Sequence, residues 1–390
     1  MQRELGLSGA QVEHGERVRV HIRKAIAAAG GWLSFEDYMD LALYAPGLGY
    51  YSAGARKFGD GGDFTTAPEI SQLFGACIAA QCAQVLTALP GGSILEIGAG
   101  SGRLAADVLL RLERSGQLPA AYSILEISAD LRARQQRHLG ERAPHLLQRV
   151  RWLDAPPAED YHGVVIANEV LDALPVARFR WSRARTEELG VVQDGLQFAW
   201  APVPAGEAMV MTVRELAAAA GQAWDDGYVS EYCPRLPAWT ASVTRTLEKG
   251  AVLWFDYGLP RRQYYLPERR DGTLLCHFRQ RAHDDPLALP GLQDITAWVD
   301  YTAVAEAGAQ AGFGLGGFTT QTYFLAGNGI DGESQVLAAG DPLAAAKLAR
   351  QARQLMLPGE MGESFKAMAW LRGLELPLAG FALRDLCHVL

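Results

Sequence analysis

From Ile94 to Gly102 the chain reads Ile-Leu-Glu-Ile-Gly-Ala-Gly-Ser-Gly, an apolar strand that runs into alternating glycines and then a helix. No other stretch limits the fold as tightly. Glycine accepts the left-handed backbone of a sharp turn, and without a Cβ it lets a ligand approach the main chain. A helix beginning near Arg103 would aim its unpaired N–H groups at the same place. A dinucleotide fingerprint carries its third glycine three residues after the second, where this chain has Arg103. Glycine at every second position, after Glu96 on the strand, suits a nucleotide ligand with no pyrophosphate to cradle. S-adenosylmethionine (SAM) is the candidate.

The following strands extend the pattern. Ala121 to Ile127 is apolar and ends in Glu126, placed to accept the two hydroxyls of a ribose or, more plainly, to cap the helix from Asp130. Arg149 to Leu153 ends in Asp154, which either meets an adenine edge or belongs to an ordinary Ala-Pro-Pro loop. Gly163 to Ala167 ends in Asn168-Glu169. Apolar strands that end in polar or glycine residues and alternate with helix-length segments predict an α/β fold, with a parallel sheet and ligands at its carboxyl edge.

At 390 residues, 49% hydrophobic and 21% charged, the chain has the material for a large core and the composition of a soluble globular protein. A net charge of −8 argues against a nucleic-acid backbone as the main partner and is compatible with a basic peptide substrate. Five cysteines without a C-x-x-C pair predict free thiols and no zinc site. No run has the length of a membrane span, and Glu4, Glu13 and Glu16 make a poor presequence, so the cytoplasm is the expected compartment.

Four regions are expected: a helical segment and cofactor lid over 1–90, a core over 91–175 and 250–326, an insertion over 176–249, and a helical segment over 327–390. Helical spacing marks Glu16 to Ala29 and Phe35 to Leu43. The glycine-rich stretch from Tyr50 to Thr66 reads as a lid that orders on the cofactor. Within it, Gly62-Asp63-Phe64-Thr65-Thr66 would overhang the ligand. Thr66-Ala67-Pro68-Glu69 looks like a capping box that opens one long helix ending at Gly91-Gly92. Ala177 to Trp181, Thr186 to Val192 and Leu196 to Ala201 predict antiparallel strands turning at Asp194-Gly195, forming a substrate wall. Ala251 to Tyr257 returns to the core, and Phe318 to Leu325 would be the last strand.

Glu169 and Asp172 stand three residues apart, as on one helical turn. Paired carboxylates there could hold the N–H fork of a guanidinium, a group too basic for simple deprotonation. They could equally cap a helix whose first turn favours negative charge. His277 and His283 could serve as a base, or cap loops; His283-Asp284-Asp285 is too consecutive to converge on one metal ion.

The run Gly62-Asp63-Phe64-Thr65-Thr66-Ala67-Pro68-Glu69-Ile70-Ser71-Gln72-Leu73-Phe74-Gly75 resembles the defining segment of the MidA family, which includes a mitochondrial complex I assembly factor that methylates an arginine. Leu95 to Gly102, Asn168 to Pro175, Phe255-Asp256-Tyr257-Gly258, Gly272-Thr273-Leu274 and Asp294-Ile295-Thr296 look like its further blocks, in order. The resemblance implies a Rossmann-like class I methyltransferase that uses SAM on a protein arginine, with a basic segment of a respiratory complex subunit as a conceivable partner and a homodimer left open. Carried over by position, Gly98 and Gly100 would face the methionine end of the cofactor and Glu126 its ribose. Asp63, Phe64 and Thr65 would close over it. Glu96, Asp154 and Asn168, on the strand ends read above, are the further expected cofactor contacts. Glu169 and Asp172 would face the acceptor. Ala177, Gln280 and Trp298 depart from the pattern, which frequently has polar or histidine residues there. A SAM-binding scaffold without turnover and a nicotinamide dehydrogenase are the alternatives.

Overall fold

The computed structural model describes residues 7–53 and 65–390. The glycine-bearing strand, β1 (Ser93–Ile97), lies inside an open sheet. On one side it pairs with β2 (Tyr122–Leu125), which pairs in turn with β3 (Val150–Leu153). On the other side β4 (Tyr161–Asn168) pairs with β5 (Leu247–Leu259), Gly250 standing opposite Gly163 and Phe255 opposite Asn168. All these pairings are parallel. The edge beyond β5 holds β6 (Gly314–Thr320) and β7 (Phe365–Arg372), with β7 between β5 and β6 and antiparallel to both. Across the sheet the order is β6-β7-β5-β4-β1-β2-β3. Strands in the middle are covered on both faces, which is why Val164, Val165 and Ile166 form an unbroken, fully buried apolar run.

The insertion is the expected antiparallel sheet, built from Ala177–Trp181, Thr186–Asp194, Gln197–Pro204 and Tyr228–Tyr232. The N-terminal segment completes it. Leu33 and Ser34 pair with Val191 and Gly190. Helices α1 (Gly9–Ala28) and α2 (Phe35–Tyr44) bury Val18, Ile22, Phe35 and Met39 in one cluster with Val191, Phe198 and Ile295. These two regions therefore make a single lobe over the carboxyl edge of the main sheet.

Three expectations need correcting. The helix expected from Thr66 is broken: Ala67–Ile70 is one turn, Ser71 is extended, and α3 runs Gln72–Ala88. Thr66 makes no side-chain cap; Ser71 caps α3 instead, its Oγ accepting the Leu73 N–H at 3.2 Å. The strand placed at Phe318 to Leu325 ends at Thr320, and Gln321–Gly327 is helix. That helix buries Phe324 at a centroid distance of 4.9 Å from Phe255. Finally, the C-terminal segment is not helical throughout, since it supplies β7. Its run Ala367 to Leu371 is apolar at every position, and such a run cannot be told from a buried helix by period.

Candidate active site

A cleft of about 670 Å³ runs along the carboxyl edge, from the glycine turn after β1 to the inserted lobe. At the end where the cofactor is expected, Gly98, Gly100 and Gly102 all have positive φ, at 65°, 52° and 85°. A Cβ on Gly98 would stand 3.1 Å from Val170 Cγ2. Gly102 is the N-cap of α4 (Arg103–Arg114), whose first N–H groups face the turn. Gln135, on α5 (Ala129–Arg142), ties this cradle together. Its Nε2 donates to the Gly100 carbonyl at 3.1 Å and to Glu126 Oε2 at 2.9 Å, while its Oε1 accepts the Trp152 indole N–H at 3.0 Å. Glu126 Oε1 also accepts the Ser128 N–H at 2.8 Å. Each carboxylate oxygen is thus held in place at the tip of β2. Ile127 follows, 69% exposed and lining the cleft, an apolar face suited to a base.

Glu96 forms the floor. It is buried, its Oε2 accepts the Tyr122 hydroxyl at 2.7 Å, and burial raises its pKa to about 7 against the opposing effect of that bond. Asn168 lines the wall, its Nδ2 donating to Glu169 Oε1 at 3.1 Å and its buried Oδ1 meeting no partner among the described residues. Thr65 also lines the cleft, whereas Asp63 and Phe64, with most of the expected lid, lie outside the described residues. Asp154 stands apart from these. It is absent from the cleft lining, its side chain is 86% exposed, and it pairs with Arg132 of α5.

The other end, where the acceptor is expected, depends on one backbone device. Glu169 adopts φ 53°, a left-handed conformation that costs an L-residue about 1–2 kcal/mol. The turn is held because Asp256 Oδ2, fully buried at the tip of β5, accepts successive N–H groups of Val170, Leu171 and Asp172 at 3.2, 3.0 and 3.2 Å. The Glu169 N–H donates to the Phe255 carbonyl at 2.8 Å. Glu169 and Asp172 thus share the cleft through a turn around Asp256, not through the helical turn their spacing suggested, and no helix exists here for them to cap. Asp172 Oδ2 accepts the Tyr257 hydroxyl at 2.5 Å, and its Oδ1 is buried without a partner among the described residues.

Crowding acids in this space raises their pKa values. Burial, reinforced by Asp172 and opposed by the Asn168 bond, lifts Glu169 to about 8. Burial also raises Asp172, against the Tyr257 bond, and Asp256, where Asp172 and Glu169 add to the effect. A carboxyl whose pKa is higher folded than unfolded takes up a proton on folding. Its stabilising contribution is complete below the unfolded pKa and is lost as pH rises through the folded one. Glu169→Gln copies the protonated form. Its Tm should equal that of the wild type near pH 4 and exceed it by roughly 2–4 °C near pH 9. Melting curves that differ equally at both pH values would show that Glu169 does not change charge in this range.

His277 lines the acceptor end, as do Asp294 and Trp298. His283 is absent from that lining and accepts the Asp285 N–H at 3.3 Å. Of the departures from the family pattern, Trp298 meets Tyr257 edge-on at 6.3 Å, while Ala177 is buried in the inserted sheet. Among the described residues, no group of three or more His, Cys, Asp or Glu is arranged to hold a metal ion. Sequence reasoning missed Gln135 and left Ile127 and Asp256, both inside the stretches singled out above, without a role.

The strand order, the antiparallel β7, the glycine turn after β1 and the buried acid at the tip of β2 together define a class I methyltransferase fold. Over residues 77–319 the chain matches the family model of S-adenosyl-L-methionine-dependent methyltransferases, and it belongs to that family. A crystal structure from Burkholderia thailandensis bound to S-adenosyl-homocysteine superimposes with a TM-score of 0.93 at 41% identity, covering 98% of this chain and 99% of that one. A native crystal structure from the same organism gives a TM-score of 0.90, with the same identity and coverage. The zebrafish (Danio rerio) mitochondrial protein arginine methyltransferase NDUFAF7 is 29% identical, over 93% of this chain and 91% of its own. The human (Homo sapiens) one is 27% identical, over 90% and 82%. The chain is a SAM-dependent methyltransferase.

Proposed function

We propose that the methyl acceptor is an arginine in a basic segment of a partner protein. The observation that carries this reading is the Glu169–Asp172 pair, turned into one end of the cleft by Asp256. When bound, SAM supplies a methyl group on a sulfonium. The chain's own residues must present a nitrogen in line with that methyl and manage its charge. Two carboxylates can receive the N–H groups of a guanidinium and draw its positive charge away from the attacking nitrogen. The aromatic rings of Tyr44, Tyr51, Tyr257 and Trp298 line the same end and suit a flat cation.

The rim supports a basic segment as well. Arg235, which lines the cleft with Asp40, is held by Asp40 and Glu36 at 2.5 Å and by Asp37 at 3.6 Å, so this face of α2 is rich in carboxylates. The segment would thread between the sheet edge and the inserted strands. The names of the zebrafish and human relatives agree with an arginine acceptor, and a respiratory complex subunit is the partner that the family resemblance suggests.

The test is incubation of cell lysate with the enzyme and isotopically labelled SAM, followed by mass spectrometry of the labelled protein. Methylarginine is the expected product. Label confined to lysine, carboxylate or a small molecule would refute the arginine reading and leave the methyltransferase. SAM binding with no transfer to any acceptor would favour the scaffold alternative.

A further inference from the structure

Among the described residues that line the cleft, His277 is the one histidine. It lies on the strand Leu275–Phe278, directly opposite Asp294 of the antiparallel strand Asp294–Thr296. Opposed residues in such a pair project from the same face, with Cβ atoms about 4.5–5.5 Å apart. Both line the acceptor end. Asp294 is buried, and its Oδ1 accepts the Tyr51 hydroxyl at 2.9 Å and the Ile295 N–H at 3.0 Å. The same strand is joined to the acid pair, because the Ala297 N–H donates to the Asp172 carbonyl at 2.9 Å.

We propose that His277 takes the proton the acceptor nitrogen must lose, and that Asp294 is the positioning residue that stabilises the imidazolium. This rests on the arginine reading. In the step, a lone pair of the guanidinium nitrogen forms the new N–CH3 bond. The S–CH3 bond breaks, and its electron pair stays on sulfur. The methylated nitrogen then carries one proton too many, which passes to an imidazole nitrogen of His277 and from there to solvent. Glu169 and Asp172 are poor recipients while they hold the cation, because an adjacent positive charge favours their ionised form. Imidazole is the side chain suited to exchanging protons near neutral pH. Among the described residues, the other titratable groups lining this end are Glu169 and Asp172 from the turn after β4, Tyr257 from β5, Tyr44 from α2 and Tyr51 beyond it, together with Asp40 and Arg235 at the rim.

The acceptor used is a synthetic peptide around the arginine marked by the labelled-methyl experiment; if no arginine is marked, this proposal falls together with that reading. With such a peptide, His277→Gln should lower kcat by about 100-fold or more, with KM and SAM affinity within about twofold. The acidic limb of its kcat–pH profile should vanish, and added imidazole should partly restore His277→Gly. A second readout needs no turnover. In NMR titrations, Asp294→Asn should lower the His277 pKa by about one unit, and this also decides the matter if His277→Gln fails to fold. Wild-type kcat in folded His277→Gln, or an unmoved His277 pKa in Asp294→Asn, would overturn the proposal while leaving the arginine reading intact.

Discussion

Gly98→Val is expected to abolish binding of SAM and of its demethylated product while the fold survives. The position has φ 65°, which valine tolerates poorly, and its Cβ would already lie 3.1 Å from Val170 Cγ2. The two γ carbons must then point into the cleft or displace the turn that carries Glu169. Strain alone should cost about 1–2 kcal/mol of stability. A rise in Kd for S-adenosylhomocysteine of more than about 100-fold, near 2.8 kcal/mol, is the expected size of the binding effect. Gly116→Ala separates strain from space. Its φ is 68°, but nothing lies within 4 Å of the added Cβ, so it should lose stability and keep its affinity. Calorimetric titration with circular dichroism as a fold check decides the matter. Unchanged affinity in a folded Gly98→Val protein would remove the glycine turn from the cofactor site.

The features legible in the sequence were those fixed by neighbours along the chain. Alternating glycines after an apolar strand can hardly form anything but a close-approach turn, and the strands to β5 followed from apolar runs between helix-length segments. The inserted strands showed their turn at Asp194-Gly195, where Gly195 takes φ 56°. What stayed hidden depends on distant contacts. Asp256 lies 84 to 86 residues from the N–H groups it accepts, so its role exists only once β4 and β5 are paired. Gln135 looks like any helical glutamine until α5 carries it to Gly100. Asp154 carries little signal of its own: an acid after a strand has the same local signature whether it meets a ligand or an arginine, and here it pairs with Arg132 on the preceding helix. β7 is the largest omission, because its uniform apolar run carries no period and its slot between β5 and β6 is set by the sheet.

Glu169→Gln is expected to cut methyl transfer by about 100- to 1,000-fold while SAM affinity stays within about twofold. Glutamine has the shape of glutamate and can stay in the left-handed turn, since the Glu169 N–H bond to Phe255 and the Asp256 bonds to the following residues are backbone contacts. Its amide oxygen can still accept from Asn168. Only the charge is lost, and on the proposed arginine acceptor the charge is what the guanidinium needs from this wall. The pKa of about 8 adds a second signature. In the free enzyme Glu169 is mostly protonated below that value and must lose its proton to receive a cation. Wild-type kcat/KM should therefore climb with pH towards about 8, and the gap between wild type and Glu169→Gln should widen with it, because kcat/KM reports groups of the free enzyme. Near pH 6 the two proteins should differ least. A packing role for Glu169 would instead give a constant ratio at every pH. Transfer by Glu169→Gln at the wild-type rate across the whole range would move guanidinium recognition to Asp172 and Asp294, the other buried carboxylates at this end of the cleft.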